Sequence, residues 1–360
     1  MTLEQKLQKI LNDSVASGEE CGCQLAVYRH GEQLFSLCAG NIGTDNGRKV
    51  DKNTLFPVFS VSKGIVTTML HILAEKGKLS YDDKVTKFWP EYGCCGKEIT
   101  TVKDVMTHRA GLFNLPKKLS QEECFHWETI TAAMAAAEPE DRIGGIHHYH
   151  AYTYGVLAGA IAEKADGRPF RQILQEEILE PLNIDTMFFG LPAERHSNLA
   201  ILDGSVFSDG RLGHNNPAIL SGLNPSSNGC MNAEAIAKVY ASLIGSGIDG
   251  VRLLSGDTVE KATVLMRSED DPLIFEKWDK FGLGYALCGP RENLGRMFGH
   301  GGAWGTNCMV NWHRKELKLW VVQLCGNPRP WDAARSEAEK KFFKYVIDNT
   351  DANAYTGRTK

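Results

Sequence analysis

Ser60 and Lys63 stand three positions apart in Phe59-Ser60-Val61-Ser62-Lys63-Gly64. A serine hydroxyl is a weak nucleophile until a neighbouring base takes its proton. Residues three apart on a helix share a face, so the Lys63 amine can reach the Ser60 hydroxyl. A helix starting here would also place its positive end beside the attacking oxygen. The plain alternative is a capping serine and a solvated lysine, because a four-residue pattern with two fixed positions is weak by itself. A second segment, His148-Tyr149-His150-Ala151-Tyr152-Thr153-Tyr154-Gly155, precedes an apolar run. A tyrosine close to a lysine can share its proton and act as acid or base; aromatic packing at a helix start is the alternative. A third, Phe298-Gly299-His300-Gly301-Gly302-Ala303-Trp304-Gly305, precedes a strand-like run. Glycines let a backbone approach a ligand, and N–H groups on a strand edge beside a nucleophile suit an oxyanion. A glycine-rich turn with a structural histidine is the competing reading.

The elements that must position these groups divide by period. Leu3, Leu7, Ile10, Leu11 and Val15 predict a first helix ended by Gly18. Gln24 to Tyr28 and Gln33 to Cys38, joined by Arg29-His-Gly-Glu32, predict a hairpin. Late in the chain, Gly284 to Cys288, Thr306 to Trp312 and Leu317 to Leu324 read as strands, followed by a helix from Ala333 to Ile347. Between the ends the period is helical. Ile65, Val66, Met69, Leu70 and Leu73 share one face before Gly77, and Thr101-Val-Lys-Asp104 reads as a capping box for a short helix ending near Gly111. Tyr154 to Ala165 forms another helix. Phe170, Ile173, Leu174 and Ile178 form a stripe stopped by Pro181, and Ile236, Val239, Tyr240 and Leu243 follow an Asn232 cap. Strands this short cannot each make an independent sheet. One antiparallel sheet built from both chain ends, carrying a large helical insertion, is the economical solution.

Composition sets the outer limits. The chain has 360 residues, 42% hydrophobic and 23% charged, enough for a sizeable core. Forty Lys and Arg against 44 Asp and Glu leave a net charge of −4, with no basic excess for nucleic acid. No run reaches the ~18 apolar residues of a membrane span. The N-terminus shows neither a secretory nor a transit pattern. The ten cysteines include Cys21 with Cys23 and Cys94 with Cys95 but no zinc-type spacing, so reduced thiols in the cytoplasm are expected.

The order Ser/Lys, Tyr, His-Gly-Gly, with strands outside and helices inside, resembles the serine β-lactamase and penicillin-binding-protein superfamily. The nearest likeness is its class C-like branch, which includes family VIII carboxylesterases. Val105-Met-Thr-His108-Arg-Ala-Gly111-Leu112, Leu79-Ser-Tyr-Asp82-Asp83-Lys-Val85 and Asn224-Pro-Ser-Ser-Asn-Gly229 are similar to it in style, and the likeness covers roughly residues 5 to 348. It implies an α/β (α+β) protein of β-lactamase/transpeptidase-like fold: an antiparallel sheet flanked by terminal helices, plus an all-helical insertion. The expected division is a discontinuous sheet domain of 1–59 and 280–350, a helical domain of 60–279 and a flexible tail of 351–360.

The resemblance further implies that Ser60 is the acylated nucleophile, with Lys63 and Tyr149 as the general base pair. Ser60 and Ala303 N–H groups would form the oxyanion hole, and His300, Gly301, Gly302 and Trp304 would contact substrate. Tyr152 and Tyr154 are near enough to compete with Tyr149 for its place. His300 and Gly301 stand where the family usually carries lysine and a hydroxyl residue, and Ala151 where β-lactamases carry asparagine. Those departures point to a small-molecule ester or acyl substrate, handled by hydrolysis or acyl transfer without cofactor or metal. The alternatives are β-lactamase or D-amino-acid peptidase activity, or a catalytically silent scaffold. An α/β-hydrolase is disfavoured because no serine sits in a G-x-S-x-G elbow. His108 is expected to brace its loop, His147, His148 and His150 to hold no zinc, and Trp127 and Trp278 to line the helical side. Lys340, Lys341 and Lys344 read as a solvated face.

Overall fold

The computed structural model describes residues 1–18, 20–43, 47–201, 216–271, 280–288, 294–295, 297–302, 307–312 and 319–328, the last two segments as backbone. The expected helix from Ala333 to Ile347, its lysines, Trp278 and the tail lie outside the described residues.

Helix α1 (Leu3–Ala16) opens with a reciprocal Thr2/Gln5 capping box and buries Leu7 and Leu11. Strands β1 (Glu20–Arg29) and β2 (Glu32–Gly40) pair antiparallel, Arg29 opposite Glu32. The turn residues His30 and Gly31 both have positive φ, 49° and 80°, which matches the twist of a tight hairpin. Strand alternation then assigns the two faces of β1. Cys23, Leu25 and Val27 pack with α1, while Ala26 and Tyr28 enter the main core.

The chain then makes β3 (Phe56–Pro57) and α2 (Val61–Glu75), whose residues Val61 through Leu73 are all buried. Its polar side chains Ser62, Lys63, Thr67, Thr68 and His71 are buried with the apolar ones, so each needs a hydrogen-bond partner inside the protein. Around α2 lie α3 (Val102–Met106), α4 (Trp127–Ala136), α5 (Tyr154–Asp166) and α6 (Phe170–Leu174), the last continuing as a π-helical turn, Gln175–Leu179. Strand β4 (Met187–Phe189), α7 (Pro217–Ser221), β5 (Gly229–Met231), α8 (Ala233–Leu243) and α9 (Gly256–Ala262) follow. Thr101 caps α3 reciprocally with Asp104, and Asn232 caps α8. The sequence places the end of α3 near Gly111. The helix stops at Met106 because His108 turns left-handed, φ 58°.

Strands β6 (Ala286–Cys288), β7 (Met297–Gly301), β8 (Asn307–Trp312) and β9 (Leu319–Pro328) complete a six-stranded sheet in the order β2-β1-β9-β8-β7-β6. Every pairing is antiparallel, and β1 lies against β9 with Leu25 opposite Leu324, so the two ends of the chain do share one sheet. The expected strand from Gly284 starts two residues later, because Gly284 has φ 91°. The insertion also holds a small sheet, β3-β5-β4, beyond the helices expected there. Runs of two or three residues carry no readable period. Among the described residues, no helix is long and apolar enough to cross a membrane.

Candidate active site

Ser60 sits at a sharp change of direction. Val58 N–H donates to Gly229 O at 2.9 Å, Phe59 is left-handed at φ 47°, and Ser60 re-enters helical space to start α2. A bulky residue at positive φ costs on the order of 1–3 kcal/mol. Three tight bonds hold it: Val61 N to Val58 O, Ser62 N to Phe59 O and Lys63 N to Ser60 O, at 3.1, 3.0 and 3.1 Å. Ser60 occupies the N-cap position, yet its side chain makes no capping bond. Its hydroxyl instead accepts from Lys63 Nζ at 3.0 Å.

Lys63 is the reverse of a solvated lysine. It is 0% exposed. Its Nζ also donates to Ala151 O at 2.7 Å and Ser226 O at 2.9 Å. Burial drives its pKa well below the ordinary 10.5. A neutral amine keeps two N–H donors and one lone pair. With the two carbonyls taking two donors, the remaining position of the amine faces the Ser60 hydroxyl: the ammonium form donates there, and the neutral form turns its lone pair to it. The Ser226 loop is itself fastened: Ser226 Oγ donates to Tyr152 O and accepts from Gly155 N, at 2.7 and 2.6 Å.

Tyr149 is the tyrosine beside this amine, its ring centroid 5.0 Å from Lys63 Nζ. Tyr154 faces elsewhere, its hydroxyl 2.6 Å from Thr67 Oγ1. The Tyr149 segment is tied to two neighbours. His108 Nδ1 accepts from His150 N–H at 3.0 Å, which makes His108 a brace. His147 N–H donates to Asp271, which is bidentate on buried Arg109 at 3.0 and 2.5 Å. Although burial pushes the Asp271 carboxyl up, bonds from Arg109, Ser268 and His147 bring it below the usual range.

His300 enters from β7. Strand β6 covers β7 as far as Gly299, so among the described residues His300 and Gly301 pair with β8 alone. The sequence reading of an edge therefore holds locally, at the end of an otherwise interior strand. The His300 ring is 6.0 Å from the Tyr149 ring. Its Nδ1–H donates to Gly301 O at 2.6 Å, and among the described residues its buried Nε2 has no partner. Burial, joined by Lys63 whenever that amine is protonated, lowers His300 to about 3. The site thus offers a neutral acceptor where the resemblance leads one to look for a lysine cation. Burial likewise lowers His150 to about 4.

Four predicted residues thus adjoin one another: Ser60, Lys63, Tyr149 and His300, with Gly301 and Gly302 continuing from His300. Ala303 and Trp304 lie outside the described residues. No described residue accepts a hydrogen bond from the Ser60 amide, which lies at the N-terminus of α2. The carbonyls of Ala151 and Ser226 were missed. Backbone acceptors leave no side-chain signature, although Ser226 lies in a segment already noted for its style. Trp127 lines a separate groove on the helical side and donates to Glu163 at 2.8 Å. Among the described residues no group of His, Cys, Asp and Glu could hold a metal ion.

Known proteins share this arrangement of elements. A family VIII carboxylesterase superposes with a TM-score of 0.81 over 95% of this chain and 97% of its own, at 22% identity. A penicillin-binding-protein homologue from Caulobacter crescentus gives 0.76 over 90% and 91%, at 27% identity. In sequence, the esterase/beta-lactamase LipL of Mycobacterium tuberculosis (strain ATCC 25618 / H37Rv) is 30% identical over 79% of this chain and 73% of its own length. The family model described as Beta-lactamase matches residues 7–330. With that span taking in both the serine–lysine turn and the sheet that closes the chain, the protein belongs to the beta-lactamase family.

Proposed function

We propose that this serine hydrolase cleaves carboxylic esters through an acyl-enzyme on Ser60. The observation that carries the reading is the buried Lys63 amine, 3.0 Å from the Ser60 hydroxyl and held by two carbonyls. Lys63 takes the Ser60 proton as Oγ attacks the ester carbonyl. The negative oxygen then faces the Ser60 N–H at the start of α2, with the Ala303 N–H as the second donor that the family resemblance supplies. Tyr149, next to the same amine, passes a proton to the departing alcohol and later draws one from water. An acceptor alcohol in place of water would give acyl transfer with the same residues.

The substrate class follows from His300. A neutral imidazole with a bare Nε2 accepts hydrogen bonds and repels a carboxylate lone pair. It therefore favours uncharged esters over carboxylate-bearing β-lactams and peptides. That the relative LipL is named both esterase and beta-lactamase agrees with a shared scaffold for the two. We also place the enzyme in the cytoplasm, since the cysteines described are free thiols.

The test is turnover of p-nitrophenyl butyrate, with nitrocefin alongside. The wild type is expected to hydrolyse the ester and leave nitrocefin nearly untouched. Ser60→Ala should lower ester turnover by at least about 10³-fold. Undiminished turnover in Ser60→Ala, or nitrocefin as the better substrate, would overturn the reading.

A further inference from the structure

Cys94 and Cys95 lie apart from the reactive serine, between the 3-10 turns Pro90–Tyr92 and Lys97–Ile99. Both are exposed thiols. Cys95 and Gly96 are left-handed, φ 58° and 81°, so the chain reverses at this pair of adjacent thiols. Lys97 follows, with no exposed surface. Its Nζ donates to Ala137 O, stands 5.2 Å from the Tyr92 ring centroid and reaches Cys94 Sγ at 3.4 Å. A buried ammonium is costly without partners, and the Cys94 sulfur is a hydrogen-bonding partner that can become an anion.

Other groups face the pair. Ala135 O accepts from Cys94 Sγ at 3.2 Å, and Glu138 acts on Cys95. The balance still differs between the two sulfurs. The neighbouring Cys95, with Lys97, holds the Cys94 thiol below its ordinary value, while Cys94 pushes Cys95 up. Cys94 also lines a groove of about 1060 Å³ with Trp89, Phe125, Trp127, Ala132 and Glu91, so a small reagent reaches it from solvent.

We propose that Cys94 and Cys95 form a reversible oxidation site for hydroperoxides, with Cys94 as attacking sulfur, Lys97 as its cationic partner and Cys95 as resolving thiol. The Cys94 thiolate attacks the terminal peroxide oxygen. The O–O bond breaks, the other oxygen leaves and takes a proton, and Cys94 becomes a sulfenic acid. Cys95 sulfur then attacks Cys94 sulfur; the S–O bond breaks, and the hydroxide leaves as water with the Cys95 proton. In sum, two thiols and one hydroperoxide give a disulfide, an alcohol (water, from hydrogen peroxide) and water. Neighbouring Cα atoms are ~3.8 Å apart, below the ~4.4–6.8 Å of ordinary disulfides. Such a bond is strained and easily reduced, which suits a reversible signal and not a staple.

The experiment uses the full chain, reduced, freed of reductant and exposed to hydrogen peroxide, then read by intact mass and peptide mapping. The wild type should lose about 2 Da, mapped to Cys94–Cys95 and restored by dithiothreitol. Cys95→Ser should stop at a sulfenic acid that dimedone traps on Cys94; Cys94→Ser should give neither product. Lys97→Met should slow iodoacetamide alkylation of Cys94 at pH 7 by roughly tenfold. Because that variant removes a buried side chain and endangers the fold, the trapping result with Cys95→Ser decides independently. Oxidation of other thiols while this pair stays reduced, or dimedone trapped on Cys95 in Cys94→Ser and absent from Cys95→Ser, would overturn the proposal.

Discussion

Gly155→Ala perturbs the site from behind, without touching any reacting group. A Cβ at Gly155 would stand 2.2 Å from both Pro225 C and Ser226 N, and 2.7 Å from Pro225 O. These neighbours are backbone, so they must retreat by about 1 Å or more to reach van der Waals contact. The same residue also donates its N–H to Ser226 Oγ at 2.6 Å. Ser226 O holds Lys63 Nζ at 2.9 Å, and a retreat of about 1 Å takes that bond beyond useful length. Lys63 then loses one of the two carbonyls that aim its lone pair at Ser60. Misplacement of about 1 Å costs roughly 10²-fold in rate, equivalent to about 2.7 kcal/mol on the barrier. The overpacking itself should cost roughly 1–3 kcal/mol of stability. The assay is kcat on p-nitrophenyl butyrate at a temperature where melting curves show the variant folded. Gly31→Ala is the control. Its Cβ would meet Gly247 O at 2.3 Å, and its φ of 80° adds strain, but it lies in the β1–β2 turn away from Ser60. It should lose stability and keep kcat per folded molecule. If Gly155→Ala keeps kcat within about twofold of wild type, the carbonyl cage is not what poises Lys63.

Three further outcomes follow from the same geometry. Lys63→Arg puts in a permanent cation that cannot accept a proton, so ester turnover should fall by roughly 10²–10⁴-fold at every pH, whereas wild-type kcat/KM should reach its plateau well before pH 10.5 and drop on acidification as Lys63 protonates; a steady rise of the wild-type rate up to pH 10.5 would contradict the lowered Lys63 pKa. Tyr149→Phe should lose far more activity on ethyl butyrate than on p-nitrophenyl butyrate, because only the poor leaving group needs the phenol's proton; equal losses on the two esters would remove Tyr149 from that role. Burial lowers His71 and His150 to about 4 and His300 to about 3, so below pH 6.5 the unfolded chain binds protons that the folded chain refuses. Each imidazole then removes about 2 kcal/mol of stability between pH 6.5 and 5, read as a fall in the urea midpoint; equal midpoints at pH 7 and pH 5 would contradict their burial as neutral rings.

The parts of this protein that were legible from sequence are those with a period or a fixed spacing. The stripe from Ile65 to Leu73 announced α2, Thr101 and Asn232 announced their caps, and Arg29-His-Gly-Glu32 announced the hairpin. Spacing brought Ser60 and Lys63 together because a helix turn does so. The closing of β1 on β9 was legible only as an economy, since neither strand carries its partner's address. What stayed hidden is carried by backbone. The two carbonyls around Lys63 belong to residues 75 apart in sequence, Ala151 and Ser226, and no side-chain pattern records where a carbonyl points. The left-handed turn at Phe59 was equally silent, because phenylalanine adopts it only under compulsion from the bonds on either side. The neutrality of His300 comes from burial beneath the sheet end, and composition does not show burial.

Mass spectrometry of the acylated protein bears most directly on the central claim. Brief mixing with a p-nitrophenyl ester, acid quenching and peptide mapping should find the acyl group on Ser60 alone. The label should be absent from Ser60→Ala and should persist longer in Tyr149→Phe, where water is activated less well. An acyl group on any other residue, or full labelling of Ser60→Ala, would contradict the account.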